Sequence, residues 1–194
     1  MTRPRIVLAS TSRYRAELLR RIVPDFAQVA PAADEQPLPD ESPRARAVRL
    51  AQAKARAVAS TFDDALVIGS DQVAALDGRV LHKPGSPENA REQLRASSGK
   101  HVDFYTGLCV IDSQSRHADA HLDHTRVVLR TLTDAEIDRY VEHEKPFDCA
   151  GSFKVEGAGI SLFERIENND PTALIGLPLI ALARLLRAAG FALP

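Results

Sequence analysis

Short apolar runs alternate with longer amphipathic stretches along this chain. Arg5-Ile6-Val7-Leu8-Ala9 has the length and branching of a buried strand. Ser10-Thr11-Ser12 follows, and Leu18, Leu19, Ile22 and Val23 then fall on one helical stripe. The pattern predicts a helix from Arg13 to Val23, ended by Pro24, with Ser12 or Thr11 as N-cap. The chain therefore opens as strand, Ser-rich turn and helix. Phe26 to Ala30 reads as a second strand. Residues 31–43 carry four prolines and a cluster of carboxylates, the composition of a loop. Ser42 at the N-cap and Pro43 at N1 then start an Ala- and Arg-rich helix that runs to about Thr61.

The second half repeats the alternation. Ala65 to Gly69 signals a strand that continues through Ser70-Asp71-Gln72 into Val73 to Leu76, and Asp77-Gly78 signals a hairpin turn. Ser86-Pro87 opens a helix to about Ser97. Val102 to Ile111 and Thr125 to Leu132 predict an antiparallel pair. Thr133-Asp134-Ala135-Glu136 is a capping box, starting a helix to about Glu144. Pro178 to Ala189 predicts a last helix, closed by Gly190. Alternating strands and helices place the chain in the α/β class.

Length changes this picture little. The 194 residues suit one domain spanning 1–194, with or without two lobes. Charge excludes more: 25 basic against 26 acidic residues exert no long-range pull on nucleic acid or an anionic membrane. An anionic ligand must therefore be held by a local site. No stretch approaches a membrane span. The apolar run after Arg5 is too short for a secretory core, so reduced thiols at Cys109 and Cys149 and a cytoplasmic location are expected.

Several positions carry candidate chemistry, each with a plainer reading beside it. Ser10, Ser12 and Arg15 between strand and helix suit an anion at a helix N-terminus, or an ordinary cap with surface arginines. Asp71 lies between apolar flanks, where an unpaired carboxylate is costly, and this points to a functional acid. Asp34-Glu35 would serve a hard divalent cation, or simply face solvent. Lys54 and Lys83 suit phosphate as point charges, or lie on solvated faces. Residues 151–159, with Lys154 and Glu156 among glycines, suit either a ligand-wrapping loop or a tight connection. His117, His121 and His124 read as surface residues near a hairpin end, not a zinc site. Cys149 reads as a buried thiol, not a nucleophile. Walker and dinucleotide-binding fingerprints are absent from the sequence.

The ordered set of segments resembles the Maf-like nucleoside triphosphate pyrophosphatases. The matches are Leu8-Ala9-Ser10-Thr11-Ser12 with Arg15 and Glu17-Leu18-Leu19, Asp34-Glu35, Leu50-Ala51-x-x-Lys54-Ala55, Gly69-Ser70-Asp71-Gln72, Lys83-Pro84, Thr106-Gly107, Ala150-Gly151-Ser152-Phe153, Asp170-Pro171 and Gly176-Leu177-Pro178. They span nearly the whole chain. Ser70-Asp71-Gln72-Val73 and Gly151-Ser152-Phe153-Lys154-x-Glu156-Gly157 are similar to the YceF-type branch, which acts on 7-methyl-GTP. Arg13 stands where the family usually has Pro, and Tyr14 where this branch usually has Trp.

The resemblance implies an elongated mixed sheet with flanking helices, in two lobes around a cleft, similar to inosine triphosphatases. It implies hydrolysis between the α- and β-phosphates, assisted by Mg²⁺ or Mn²⁺. Asp71 is then the proton acceptor and, with Glu35, a metal ligand. Ser10, Ser12, Arg15, Lys54 and Lys83 bind phosphate. Tyr14, Gln72 and Glu156 read the base, the aromatic ring facing a purine made cationic by N7-methylation. The expected partners are a small-molecule nucleotide and a second copy of the chain in a homodimer, with no nucleic acid and no membrane. Two rivals stand beside this reading: a pyrophosphatase for dTTP, UTP or other modified nucleotides, and a nucleotide-sensing binding module acting on septum formation.

Overall fold

In a computed structural model the described residues are 4–193. They form seven strands and five α-helices. The strand order is β2-β1-β3-β5-β6-β7, with β4 paired to β3. The chain divides into two compact units: one of residues up to Gln72, Thr106–Asp123 and from Asp170 on, the other of Val73–Tyr105 and His124–Asn169.

In the first unit β1 (Arg5–Ala9) is central. It pairs in parallel with β2 (Ala27–Val29) and with the start of β3 (Ala65–Leu76), Ala9 lying opposite Gly69. Parallel neighbours need crossovers, supplied by α1 (Arg13–Arg20) and α2 (Pro43–Ala59). Period-two alternation sends Ile6, Leu8, Leu66, Ile68, Leu108 and Val110 to one face, where Leu18, Leu19, Leu182 and Leu186 cover them. Val7, Ala9, Val67, Cys109 and Ile111 face the other way, against Ala51, Ala55 and Val58 of α2. Both faces are buried, as a parallel sheet requires. β5 (His101–Asp112) turns into β6 (Ala118–Leu129) through a hairpin in which Asp112 N–H donates to His117 O at 3.0 Å. The last helix is α5 (Leu179–Ala188).

In the second unit β3 turns through Asp77 and Gly78 into β4 (Arg79–Leu81), with Leu76 opposite Arg79. Both turn residues have positive φ, 50° and 78°, which a tight two-residue hairpin requires. α3 (Pro87–Ser97) packs on α4 (Asp134–Glu144), and Arg91 pairs with Asp138 at 2.6 Å. The Thr133–Glu136 capping box is complete. β7 (Phe163–Glu167) pairs antiparallel with β6 through a bulge at Val128/Leu129. Phe153 packs its ring against Phe104 and Phe163.

Some boundaries differ from the sequence pattern. α1 stops at Arg20, because Arg21 and Ile22 N–H groups tighten onto Leu18 and Leu19 before Pro24. β6 begins at Ala118 instead of Thr125, so His121 and His124 lie on a strand. Its first residues are polar and lack the β-branched signature, so cross-strand pairing overrides propensity there. β7 has no counterpart in the sequence reading.

Candidate active site

Small residues build the site before its charged groups do. A Cβ on Gly69 would stand 2.7 Å from the Ala55 nitrogen and 2.8 Å from Ala55 Cβ. One on Gly107 would stand 2.7 Å from the Ala47 carbonyl carbon. Only glycine on the strands and alanine on the helix let α2 lie this close. The close approach brings Lys54, one residue before Ala55, to Asp71, two residues after Gly69. Lys54 Nζ reaches Asp71 Oδ1 at 2.6 Å and Glu35 Oε1 at 3.1 Å. Lys54 and Asp71 are buried, and Glu35 is half-exposed. The buried Asp71 thus has the partner its position demands.

The loop that brings Glu35 in is anchored to the first half of α2. Arg46 donates to Glu35 O at 3.2 Å and Arg49 to Gln36 O at 3.0 Å. Arg49 also grips both carboxylate oxygens of Glu41, which holds that carboxyl below its ordinary range.

Ser10, Ser12 and Arg15 come together where β1 enters α1. Ser12 caps α1, its Oγ accepting from Arg15 N–H. Ser10 Oγ accepts from Ser12 N–H at 3.1 Å and from Arg15 Nη1 at 3.3 Å, so its own proton is left to donate. Gln28 ties Ser10 O down from β2 at 2.8 Å. The Arg15 guanidinium is desolvated by burial, which lowers its pKa, while the charges of Asp71 and Glu35 oppose that fall. Its Nε donates to Gly176 O at 2.9 Å.

That carbonyl belongs to a platform at residues 170–178. Gly176 sits at φ 123°, a conformation closed to most side chains, and its carbonyl also accepts from Ser70 Oγ at 3.0 Å. Pro178 cannot cap α5 with its side chain. Instead Asp170 accepts from Ile180 N–H at 2.7 Å and Thr172 Oγ1 accepts from Leu179 N–H at 2.9 Å. Gln72 is held by the same platform: its Nε2 faces Thr106 Oγ1, Ala173 O and Leu174 O at 3.0–3.1 Å. The donor half of that amide is committed, so Gln72 offers a ligand only its acceptor oxygen.

The predicted residues are therefore grouped as follows. Ser10, Ser12, Arg15, Glu35, Lys54, Asp71 and Gln72 all lie in the first unit and are linked through the contacts above. Tyr14, at the same helix start, carries the Arg13 guanidinium over its ring, 4.8 Å from the centroid. Lys83 and Glu156 lie in the second unit, and both are exposed. The 151–159 segment is a tight connection folded onto the end of α4. Lys154 N–H donates to Tyr140 OH at 3.0 Å, Lys154 Nζ to Glu144 O at 3.1 Å, and Ala158 N–H to Glu144 Oε2 at 2.8 Å. Sequence reasoning missed Gln28, Arg46, Arg49, Thr106 and Thr172. Each works by holding a backbone carbonyl, a carboxylate or another side chain, and nothing in residue type announces that.

Among the described residues no group of three or more His, Cys, Asp or Glu is arranged for a metal ion. Burial raises the Cys109 thiol to about 11 and the Cys149 thiol to about 12, so both are inert near neutrality. Among the described residues no helix is long and apolar enough to cross a membrane.

Two serine hydroxyls and a partly buried arginine at a helix start stand in the same unit of this α/β protein as two carboxylates on one lysine. Residues 5–189 match the family model described as Maf-like protein, and the chain belongs to that family. It is similar to the 7-methyl-GTP pyrophosphatase of Xanthomonas axonopodis pv. citri (strain 306), at 58% identity over 98% of this chain and 100% of the relative. The 7-methyl-GTP pyrophosphatase of Burkholderia pseudomallei (strain K96243) is 55% identical over 98% of this chain and 90% of its own. The fold is similar to that of the Staphylococcus aureus Ham1 protein, with a TM-score of 0.53 at 14% identity, covering 95% of this chain and 99% of the other.

Proposed function

We propose that this chain hydrolyses 7-methyl-GTP to 7-methyl-GMP and pyrophosphate in the cytoplasm. The observation that carries the reading is the buried Lys54 gripping Asp71 and Glu35 together. The names of relatives more than half identical along the whole chain give the substrate.

In this reading Asp71 accepts the proton of the attacking water. Ser10 and Ser12 hydroxyls and the remaining Arg15 nitrogen, Nη2, bind phosphate oxygens at the start of α1. Their donors are fixed beforehand by Gln28, Gly176 and one another, so little reorganisation accompanies reaction. Lys54 neutralises charge on the leaving pyrophosphate. For Lys83 and Glu156, in the second unit, a phosphate role and a base role are supported by the sequence resemblance alone. Gln72 accepts from the N–H edge of guanine, because its amide nitrogen is already engaged.

The donor set also fits a divalent cation. Glu35 and Asp71 carry hard oxygens, and both lie within reach of one positive centre, now an ammonium. They would hold Mg²⁺ or Mn²⁺ together with phosphate oxygens, and the ion supplies charge neutralisation at the anhydride.

Pyrophosphate release with each metal over 7-methyl-GTP, GTP, dTTP, UTP, CTP and ITP tests the reading. A clear lead for 7-methyl-GTP is expected. A lead for dTTP or UTP keeps the phosphate site and overturns the base contacts. Silence with nucleotide bound makes the chain a binding module.

A further inference from the structure

Tyr14 presents an aromatic ring at the start of α1, and the residue before it already places a cation on that ring. The Arg13 guanidinium carbon lies 4.8 Å from the ring centroid, and Arg13 Nη2 donates to Tyr14 OH at 2.9 Å. Arg13 is exposed and Tyr14 is partly buried, so the arginine reaches back over its neighbour instead of extending into solvent. A ring's attraction for cations comes from one quadrupole, which a resident guanidinium already draws on.

We propose that Arg13 is a specificity-determining residue that limits this chain's preference for a cationic base over a neutral one. The inference rests on the reading of Tyr14 as the base platform. A 7-methylguanine arriving on the occupied face must displace Arg13. One arriving on the opposite face meets the like charge across a single ring, well inside a Debye length. Neutral guanine meets no like-charge repulsion on either face, and it stacks with a guanidinium favourably. Arg13 therefore weakens 7-methyl-GTP relative to GTP, and the effect resides in KM.

The test measures kcat/KM for 7-methyl-GTP and for GTP in the full-length protein and takes their ratio. Arg13→Ala and Arg13→Gln should each raise the ratio about threefold, the range of an exposed cation–π contact. Arg13→Lys, which keeps the charge, should raise it less. Tyr14→Ala should lower the ratio, and adding Arg13→Ala to Tyr14→Ala should change it no further. Salt screens the repulsion, so the wild-type ratio should rise between low and high ionic strength while that of Arg13→Ala stays flat. If both Arg13 variants weaken the two substrates equally, Arg13 is a phosphate contact and the inference is overturned. The same holds if the ratio is unmoved while Tyr14→Ala lowers it. If Tyr14→Ala leaves the ratio unchanged, the platform reading fails first, and the inference falls with it.

Discussion

Lys54 Nζ lies 2.6 Å from Asp71 Oδ1, and both side chains are about nine-tenths buried. The two are not equally replaceable. Asp71→Asn leaves Lys54 a second partner, Glu35 at 3.1 Å, so the fold should survive with Tm lowered by only a few degrees. Turnover should fall by a factor of about 1,000 or more, the scale of a lost general base. Lys54→Met strands a buried carboxylate and should cost about 3 kcal/mol of stability as well as turnover. In the double variant the stability should return most of the way while the activity does not. Thermal unfolding beside pyrophosphate release checks both halves, and near-normal turnover in Asp71→Asn removes Asp71 from its role.

The pair exists because α2 comes close to the sheet, so Gly69 should matter as much as the charged groups. Gly69→Ala puts a methyl within 2.8 Å of Ala55 Cβ and 2.7 Å of the Ala55 nitrogen, both on the helix that carries Lys54. Overpacking of this kind costs about 1–3 kcal/mol, and the helix shift should lower kcat as well. Gly78→Ala is the control. No atom stands within 4 Å of its added Cβ, and its φ of 78° penalises alanine by conformation alone. It should lose about 1 kcal/mol and keep its kcat.

This dependence explains what was legible in the sequence. Asp71 stood out because a carboxylate among apolar strand residues demands a partner. The helix starts at Ser42, Ser86 and Thr133 were legible because caps are local, and of the two candidates for the first cap, Ser12 and Thr11, it is Ser12 that caps. Lys54 did not stand out by itself. What takes it out of solvent is the smallness of Gly69, Ala51 and Ala55, residues that look like filler until two elements are docked. For Arg15 the sequence left an anion site and a surface arginine both open for the same reason, since its partner carbonyl at Gly176 is 161 residues away. Glycines and charged residues at 151–159 left a ligand loop and a tight connection equally open in the sequence, because the contacts of Lys154 with Tyr140 and Glu144 form only once the segment folds onto α4. β7 was missed because Phe163 to Glu167 has three charged residues in five, and its pairing to β6 is non-local.

The Glu35 loop should respond to a residue that touches neither substrate nor reacting atoms. Arg49 ties Gln36 O and Glu41 to α2, so Arg49→Ala should free the loop. We expect the Mn²⁺ concentration for half-maximal activity to rise severalfold with a smaller change in kcat, and Mn²⁺ binding measured directly to weaken in parallel. The ion pair also has a pH signature. Arg49 lowers the Glu41 pKa from its ordinary 4.5, so the pair stabilises the fold above that value and ceases to as pH falls through the lowered one. At pH 7 the variant should be about 1 kcal/mol less stable. The gap between wild type and Arg49→Ala should therefore narrow as pH falls below 4.5 and close as it passes the lowered value. A gap that widens on acidification contradicts the assignment.

The thiols offer a test of what the site does not use. Cys149 sits on a polar turn before Ala150-Gly151, a place where a nucleophile is easily imagined. Burial and the neighbouring Asp148 both disfavour its thiolate, raising its pKa to about 12, and burial raises Cys109 to about 11. At pH 8 the reactive fraction is then about one part in 10,000 for Cys149 and one in 1,000 for Cys109, against roughly a quarter for a free thiol. Iodoacetamide at pH 8 should leave the native enzyme unlabelled by mass and fully active, and label two sites after unfolding in guanidinium. Cys149→Ala should keep its kcat within a factor of about two, because the water activated at Asp71, not a sulfur, attacks in this mechanism. Rapid labelling of Cys149 with matching loss of turnover would point instead to a covalent route.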